Sequence, residues 1–87
     1  MADRQVTATG KDEDGDIIRL CNSGSFWSPR SKADAIYDIE NRIHRYFVRI
    51  SYLEDVDIKV VTRDGKKYLR TDPDKTTSNN LDNLPDC

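Results

Sequence analysis

Residues 56–71 read VDIKVVTRDGKKYLRT, and this stretch decides the fold. Val56, Ile58 and Val60 alternate with Asp57, Lys59 and Val61, the period of a half-buried strand. Asp64-Gly65 is a two-residue hairpin signal, because the tight turns that join such strands need two residues at positive φ. Residues 67–71 (KYLRT) supply the returning strand. A two-residue turn fixes the register: Arg63 opposes Lys66, Val61 opposes Tyr68, and Lys59 opposes Arg70. Directly opposed residues share a face. Ile58, Val60 and Leu69 therefore look inward, and Lys59, Arg63, Lys66 and Arg70 surround Val61 and Tyr68 on the outer face.

Upstream, Tyr46, Val48, Ile50 and Tyr52 alternate with Phe47, Arg49, Ser51 and Leu53, so 46–53 reads as another strand. With Tyr46, Val48 and Ile50 inward, Phe47 and Arg49 join the outer face. Before it lies one helix, expected over about 32–43. Ser31 and Asp34 form an S-x-x-D capping box, and Ala35, Ile36, Ile39 and Ile43 recur at helical spacing. Asp34 suits the positive end of the helix dipole, and Arg42 and His44 the negative end. Residues 4–9 and 17–21 read as two strands joined around Asp14-Gly15, with a longer turn if Gly10 ends the first strand early. Residues 22–29 form a loop whose Phe26-Trp27 pair is expected to fold back on the core. The order is β-β-α-β-β-β, an α+β fold with one helix on an antiparallel sheet of four or five strands.

The 87 residues make one domain, expected over 1–71, followed by an acidic, turn-rich, semi-ordered tail over 72–87 in which Leu81 and Leu84 could anchor one turn. Leu, Ile, Val and Phe number 19, enough for a small and marginally stable core. The longest apolar runs are three residues, so neither a membrane span nor a signal peptide is read, and a cytoplasmic location is expected. Cys21 and Cys87 lack the close pairing of a zinc or redox motif. A bridge between them is conceivable, but a semi-buried Cys21 and a loosely held Cys87 is the reading a cytosolic chain favours.

The net charge of −2 excludes a uniformly basic nucleic-acid binder and a polyacidic tail protein. That balance conceals an uneven distribution. Residues 17–71 carry eleven basic and seven acidic groups, whereas both ends are acidic.

Residues Tyr68-Leu69-Arg70-Thr71, Pro73-Asp74, Thr76, Asn79-Asn80-Leu81 and Leu84-Pro85 resemble a small bacterial family, domain-of-unknown-function family 3892. Asp14-Gly15-Asp16-Ile17 and the helix residues Ala35-Ile36 and Asp38-Ile39 are similar to it as well. The resemblance implies a short, single-domain protein without an assigned activity. It carries over no catalytic residue and lowers the weight of any familiar enzyme class.

Few residues carry recognisable chemistry. Asp12, Asp14 and Asp16 resemble the start of a calcium loop, but the glycine and glutamate that an EF-hand requires fall on Ile17 and Ser23. They read as a solvated turn. His44 is the single histidine, and all nucleophile partners are distant in sequence. With 13 aspartates some carboxylate pair is inevitable, so a hydrolase based on Asp and His44 is a weak alternative. No cofactor or metal is expected.

What stands out is the outer sheet face: Phe47, Arg49, Lys59, Arg63, Lys66, Tyr68 and Arg70. Opposed like charges cost roughly 0.2–1 kcal/mol per pair. Either the acidic tail (Asp72, Asp74, Asp82, Asp86) covers this face, or the face binds an anion. The expected function is a monomeric, non-enzymatic interaction module whose partner is a protein or polyanion. Single-stranded nucleic acid, with bases stacked on the aromatics, is the alternative ligand.

Overall fold

A computed structural model describes residues 2–72 and 80–87. The hairpin of 54–71 is its clearest feature. Strands β6 (Glu54–Arg63) and β7 (Lys66–Thr71) pair antiparallel in the expected register, from Arg63 opposite Lys66 to Ile58 opposite Thr71. Asp64 (φ 53°) and Gly65 (φ 76°) are both left-handed, which is the type I′ geometry of a two-residue hairpin. Strand β5 (His44–Ser51) pairs antiparallel with β6, with Phe47 opposite Asp57 and an irregularity between Arg49 and Ser51.

The sheet is mixed rather than purely antiparallel. Strand β1 (Ala2–Gln5) lies parallel to β5, with Arg4 beside Tyr46. A parallel pair needs a long crossover, and here the whole segment from Val6 to Ile43 provides it. The expected strand over 4–9 is consequently two strands. At Val6 the amide still donates to Phe47 O (2.8 Å), whereas the Thr7 amide donates to Cys21 O (2.9 Å), so the chain changes sheets between these residues. It continues as β2 (Ala8–Lys11), which pairs with β3 (Ile17–Cys21). A two-residue β4 (Arg30–Ser31) completes a second, three-stranded sheet. The β2–β3 turn takes the longer form. Lys11 is opposite Ile17, and Asp12 Oδ1 accepts from the amides of Asp14 (2.9 Å) and Asp16 (3.0 Å).

Helix α1 (Lys32–Glu40) begins as read: Ser31 is extended and its Oγ accepts the Asp34 amide at 3.2 Å. It stops three residues before the expected end. Arg42 turns left-handed (φ 55°), the Arg42 amide donates to Ile39 O (3.2 Å), and the Ile43 amide donates to Asp38 O (2.8 Å). These are the two bonds of a Schellman stop, built on an arginine where glycine is usual.

The helix, both sheets and the C-terminal turn enclose one core of Val6, Ile17, Leu20, Ala35, Ile36, Tyr46, Val48, Ile58, Leu69 and Leu81. Ile50 is 39% exposed, because the β5–β6 tip projects beyond that core. Trp27 packs edge-on against Tyr46 (5.7 Å between ring centroids), but its neighbour Phe26 is 95% exposed rather than folded in.

A short 3-10 turn (Asn80–Asn83) buries Leu81 completely, with Leu84 packed beside it. Thr9 Oγ1 donates to Leu81 O (3.2 Å), Thr9 N donates to Pro85 O (2.9 Å), and the Cys87 amide donates to Thr9 O (3.0 Å). The last residues thus line up along the free edge of β2. That path brings Cys87 to Cys21, and the two form a disulfide (Cα–Cα 6.6 Å), so neither cysteine is free. Of the tail expected to be semi-ordered over 72–87, residues 73–79 lie outside the described residues.

Candidate anion-binding surface

The outer face of the four-stranded sheet divides into two halves. On the β5–β6 side the cations are neutralised by aspartates of the same face. Arg49 donates to Asp55 (2.8 Å), Arg45 contacts Asp57 (2.5 Å) and Asp3 (3.7 Å), and Lys59 approaches Asp57 at 3.9 Å. The hydrogen bond from Arg49 holds the Asp55 carboxyl below its ordinary value and keeps the Arg49 guanidinium protonated to higher pH. Phe47 lies directly opposite Asp57 and is only 8% exposed. Arg45 stands over its ring at 4.5 Å and Arg49 at 5.9 Å. The ring is therefore covered by cations, not presented as a bare stacking platform.

On the β6–β7 side the compensation stops. Arg63 opposes Lys66, and Lys59 opposes Arg70. Among the described residues, none of Arg63, Lys66 and Arg70 has a carboxylate partner. Arg63 stands over the Tyr68 ring (5.9 Å), and Arg70 Nε donates to the neighbouring Thr71 carbonyl (3.0 Å). Lys32, the first residue of α1, sits over Tyr68 at 4.7 Å while its Nζ pairs with Asp16 at 2.7 Å. Together these residues border a cleft of about 560 Å³, within the size range of small-ligand sites. One wall is cationic (Arg63, Lys66, Arg70, with Tyr68). The other is the acidic β2–β3 turn with Asp12, Asp14 and Asp16.

The tail acids go to different places: Asp72 continues the pairing of β7 with β6 through its amide to Asp57 O. Asp86 pairs with Lys11 at 3.4 Å, Asp82 lines the rim of the cleft, and Asp74 lies outside the described residues. Residues 85–87 run along the edge of β2 away from β3, whereas the 3-10 turn of 80–83 packs against β7, β2 and β5. Of the seven expected face residues, the structure brings Arg63, Lys66, Tyr68 and Arg70 to one cleft. Lys59 lines a second cleft of about 260 Å³, Arg49 is bound to Asp55, and Phe47 lies under Arg45 and Arg49.

That second cleft holds His44, half-buried at the start of β5 and not at the helix end. Its Nδ1 is buried without a partner among the described residues. Asp57, on the same cleft, is bound by Arg45. Cys21 is sealed in the disulfide. The three groups that would build a nucleophilic site are thus separately engaged or unconnected. Among the described residues no group of three or more His, Cys, Asp or Glu side chains is placed to hold a metal.

One polar cluster escaped the sequence reading. Asp38 is 2% exposed on the helix face that packs inward. It accepts from Arg30 Nε and Nη2 (both 3.0 Å) and from Tyr46 Oη (2.6 Å), and Tyr46 Oη in turn accepts from Arg4 Nη1 (2.9 Å). Burial, followed by the bond to Asp38, raises the Tyr46 phenol above its ordinary value, although Arg4 pulls the other way. This chain of charges ties β1, β4, α1 and β5 together. Its signal in the sequence is an aspartate inside an apolar helical stripe.

No curated protein and no solved structure is detectably similar to the chain. A family model does match, over residues 5–85, and it spans both sheets, the helix and the C-terminal turn. The chain therefore belongs to DUF3892, a protein family of unknown function.

Proposed function

We propose that the protein is a non-enzymatic interaction module that binds an acidic segment of a protein partner through the β6–β7 hairpin. The observation that carries this reading is the uncompensated opposition of Arg63 with Lys66, joined by Arg70 without a carboxylate partner among the described residues, all three bordering an open cleft. That opposition costs stability in the free protein. On the β5–β6 half of the same sheet the equivalent cost is removed by Asp55 and Asp57. A partner carrying carboxylates supplies what the β6–β7 half lacks.

Single-stranded nucleic acid is the weaker ligand. Stacking needs an open aromatic face, whereas Phe47 is covered and Tyr68 is flanked by Lys32 and Arg63. A hydrolase reading has less support still, since Asp57 and Cys21 are engaged elsewhere.

Calorimetric titration at low salt tests the reading with two probes, a polyglutamate peptide and an oligothymidylate. The expected result is binding of polyglutamate that weakens with salt and is lost in Lys66→Glu/Arg70→Glu. Absence of binding by either probe overturns it, and binding of the oligonucleotide alone replaces it with the nucleic-acid reading.

A further inference from the structure

The pairing of β5 with β6 ends at Phe47 opposite Asp57, although β5 runs back to His44 and β6 continues to Arg63. Continuing that register would set Tyr46 opposite Ile58 and Arg45 opposite Lys59, and neither pair belongs to the ladder. The second cleft, of about 260 Å³, lies at this seam. Residues 44–46 and 57–59 supply its sides, and Ile39 and Arg42 reach it from the end of α1. Tyr46 and Ile58 are buried and Ile39 packs on the same core, so the deeper lining is apolar. At the same place His44 Nδ1 is buried without a partner among the described residues. The protein's own groups thus leave this end of the pairing incompletely satisfied.

Arg42 carries the decisive charge. It sits left-handed at the stop of α1 (φ 55°), where a glycine would be relaxed and an arginine is strained. Strain of this kind collects at functional positions. Its guanidinium has no carboxylate partner among the described residues. The other two cations of the cleft, Arg45 and Lys59, both lie near Asp57. Three cations therefore border an apolar floor against one carboxylate. We propose that this seam binds a small organic carboxylate, its charged group paired with Arg42 and its apolar body resting on Ile39 and Ile58.

Charge and size together select the ligand. A guanidinium matches a carboxylate through two parallel hydrogen bonds. An inorganic anion gains the charge contact but nothing from Ile39 and Ile58, whereas an uncharged apolar molecule gains the floor but leaves Arg42 unpaired. The cleft is slightly smaller than the range of about 300–1,000 Å³ that holds drug-sized ligands, so it suits a molecule the size of benzoate. The site is separate from the β6–β7 hairpin, since none of Arg63, Lys66 and Arg70 lines it. It stands or falls independently of the proposed capture of an acidic protein segment.

The probes are benzoate, benzyl alcohol and inorganic phosphate, each titrated into the full chain while backbone amide shifts are followed residue by residue. Benzoate shifts the amides at positions 39, 42, 44 and 58 saturably, and the other two bind about tenfold or more weakly. Arg42→Gly removes the preference for benzoate over benzyl alcohol while the thermal midpoint rises, because the strain is relieved and the charge is lost together. Arg42→Gln, which removes the charge without relieving the strain, loses the same preference with no such rise. Benzoate without effect at these positions, or with effect only on the β6–β7 hairpin, overturns the proposal. So does phosphate or benzyl alcohol binding as tightly as benzoate, or an Arg42→Gly protein that binds benzoate like the wild type.

Discussion

Arg63 and Lys66 face each other across the β6–β7 turn, two cations in direct register with no ion pair to either among the described residues. At the far end of β6, the same sheet shows the alternative, with Arg49 opposite Asp55 at 2.8 Å. The contrast within one sheet face is the basis on which the hairpin is proposed to bind an anion.

Replacing Lys66 by Glu turns the opposition into an attractive pair. Urea unfolding should show a gain of about 0.2–1 kcal/mol, while affinity for an acidic probe falls. A variant that is both less stable and weaker in binding would show that Lys66 holds the fold and not a ligand.

Asp38, Tyr46, Arg4 and Arg30 should behave as one buried unit. Tyr46→Phe leaves Arg4 without its hydroxyl acceptor and Asp38 with only its Arg30 donors, at an expected cost of about 1–3 kcal/mol. Asp38→Ala removes the buried carboxylate that holds Arg30 and Tyr46 and should cost about 3–5 kcal/mol. Denaturant midpoints measured on both variants check the order as well as the size.

The same network sets an alkaline limit. The folded-state value of the Tyr46 phenol is raised, so its protonated form is favoured by folding. The contribution is complete below the unfolded value of about 10 and is lost as pH rises through the folded value. The stability gap between the wild type and Tyr46→Phe should therefore narrow above about pH 10. A gap that stays constant into strong alkali would contradict the assignment.

Arg42 adopts a left-handed conformation in which a side chain is strained. Arg42→Gly should stabilise the protein by about 0.5–1 kcal/mol, because glycine meets no Cβ penalty at this helix stop. Thermal unfolding gives the sign directly.

The disulfide links residues 66 apart in sequence. Closing a loop of that length lowers the entropy of the unfolded chain by an amount worth about 4 kcal/mol at most. Cys21→Ser/Cys87→Ser should lose a large part of that and release the C-terminal residues from β2, with the backbone amides at positions 9 and 87 exchanging faster.

How far the sequence reveals this structure depends on the range of each interaction. The β6–β7 register was readable to the residue because Asp64-Gly65 sets it locally and the apolar alternation agrees. The start of α1 was readable for the same reason, through Ser31 and Asp34. Its end was not, because an arginine occupies the place where glycine would have announced the stop. The parallel pairing of β1 with β5, and the route that carries Cys87 to Cys21, depend on contacts across most of the chain and leave no local pattern. The candidate surface was half readable. Arg63, Lys66, Tyr68 and Arg70 followed from one hairpin, but the neutralisation of Arg45 and Arg49 needed the β5–β6 register, which an irregularity near Ser51 obscures.

Backbone amide shifts recorded during titration with polyglutamate at about 50 mM salt test the central claim most directly. The account predicts perturbations centred on Arg63, Lys66, Tyr68 and Arg70 that fade as salt is raised. Perturbations centred instead on Arg45 and Arg49, or none at all, would contradict it.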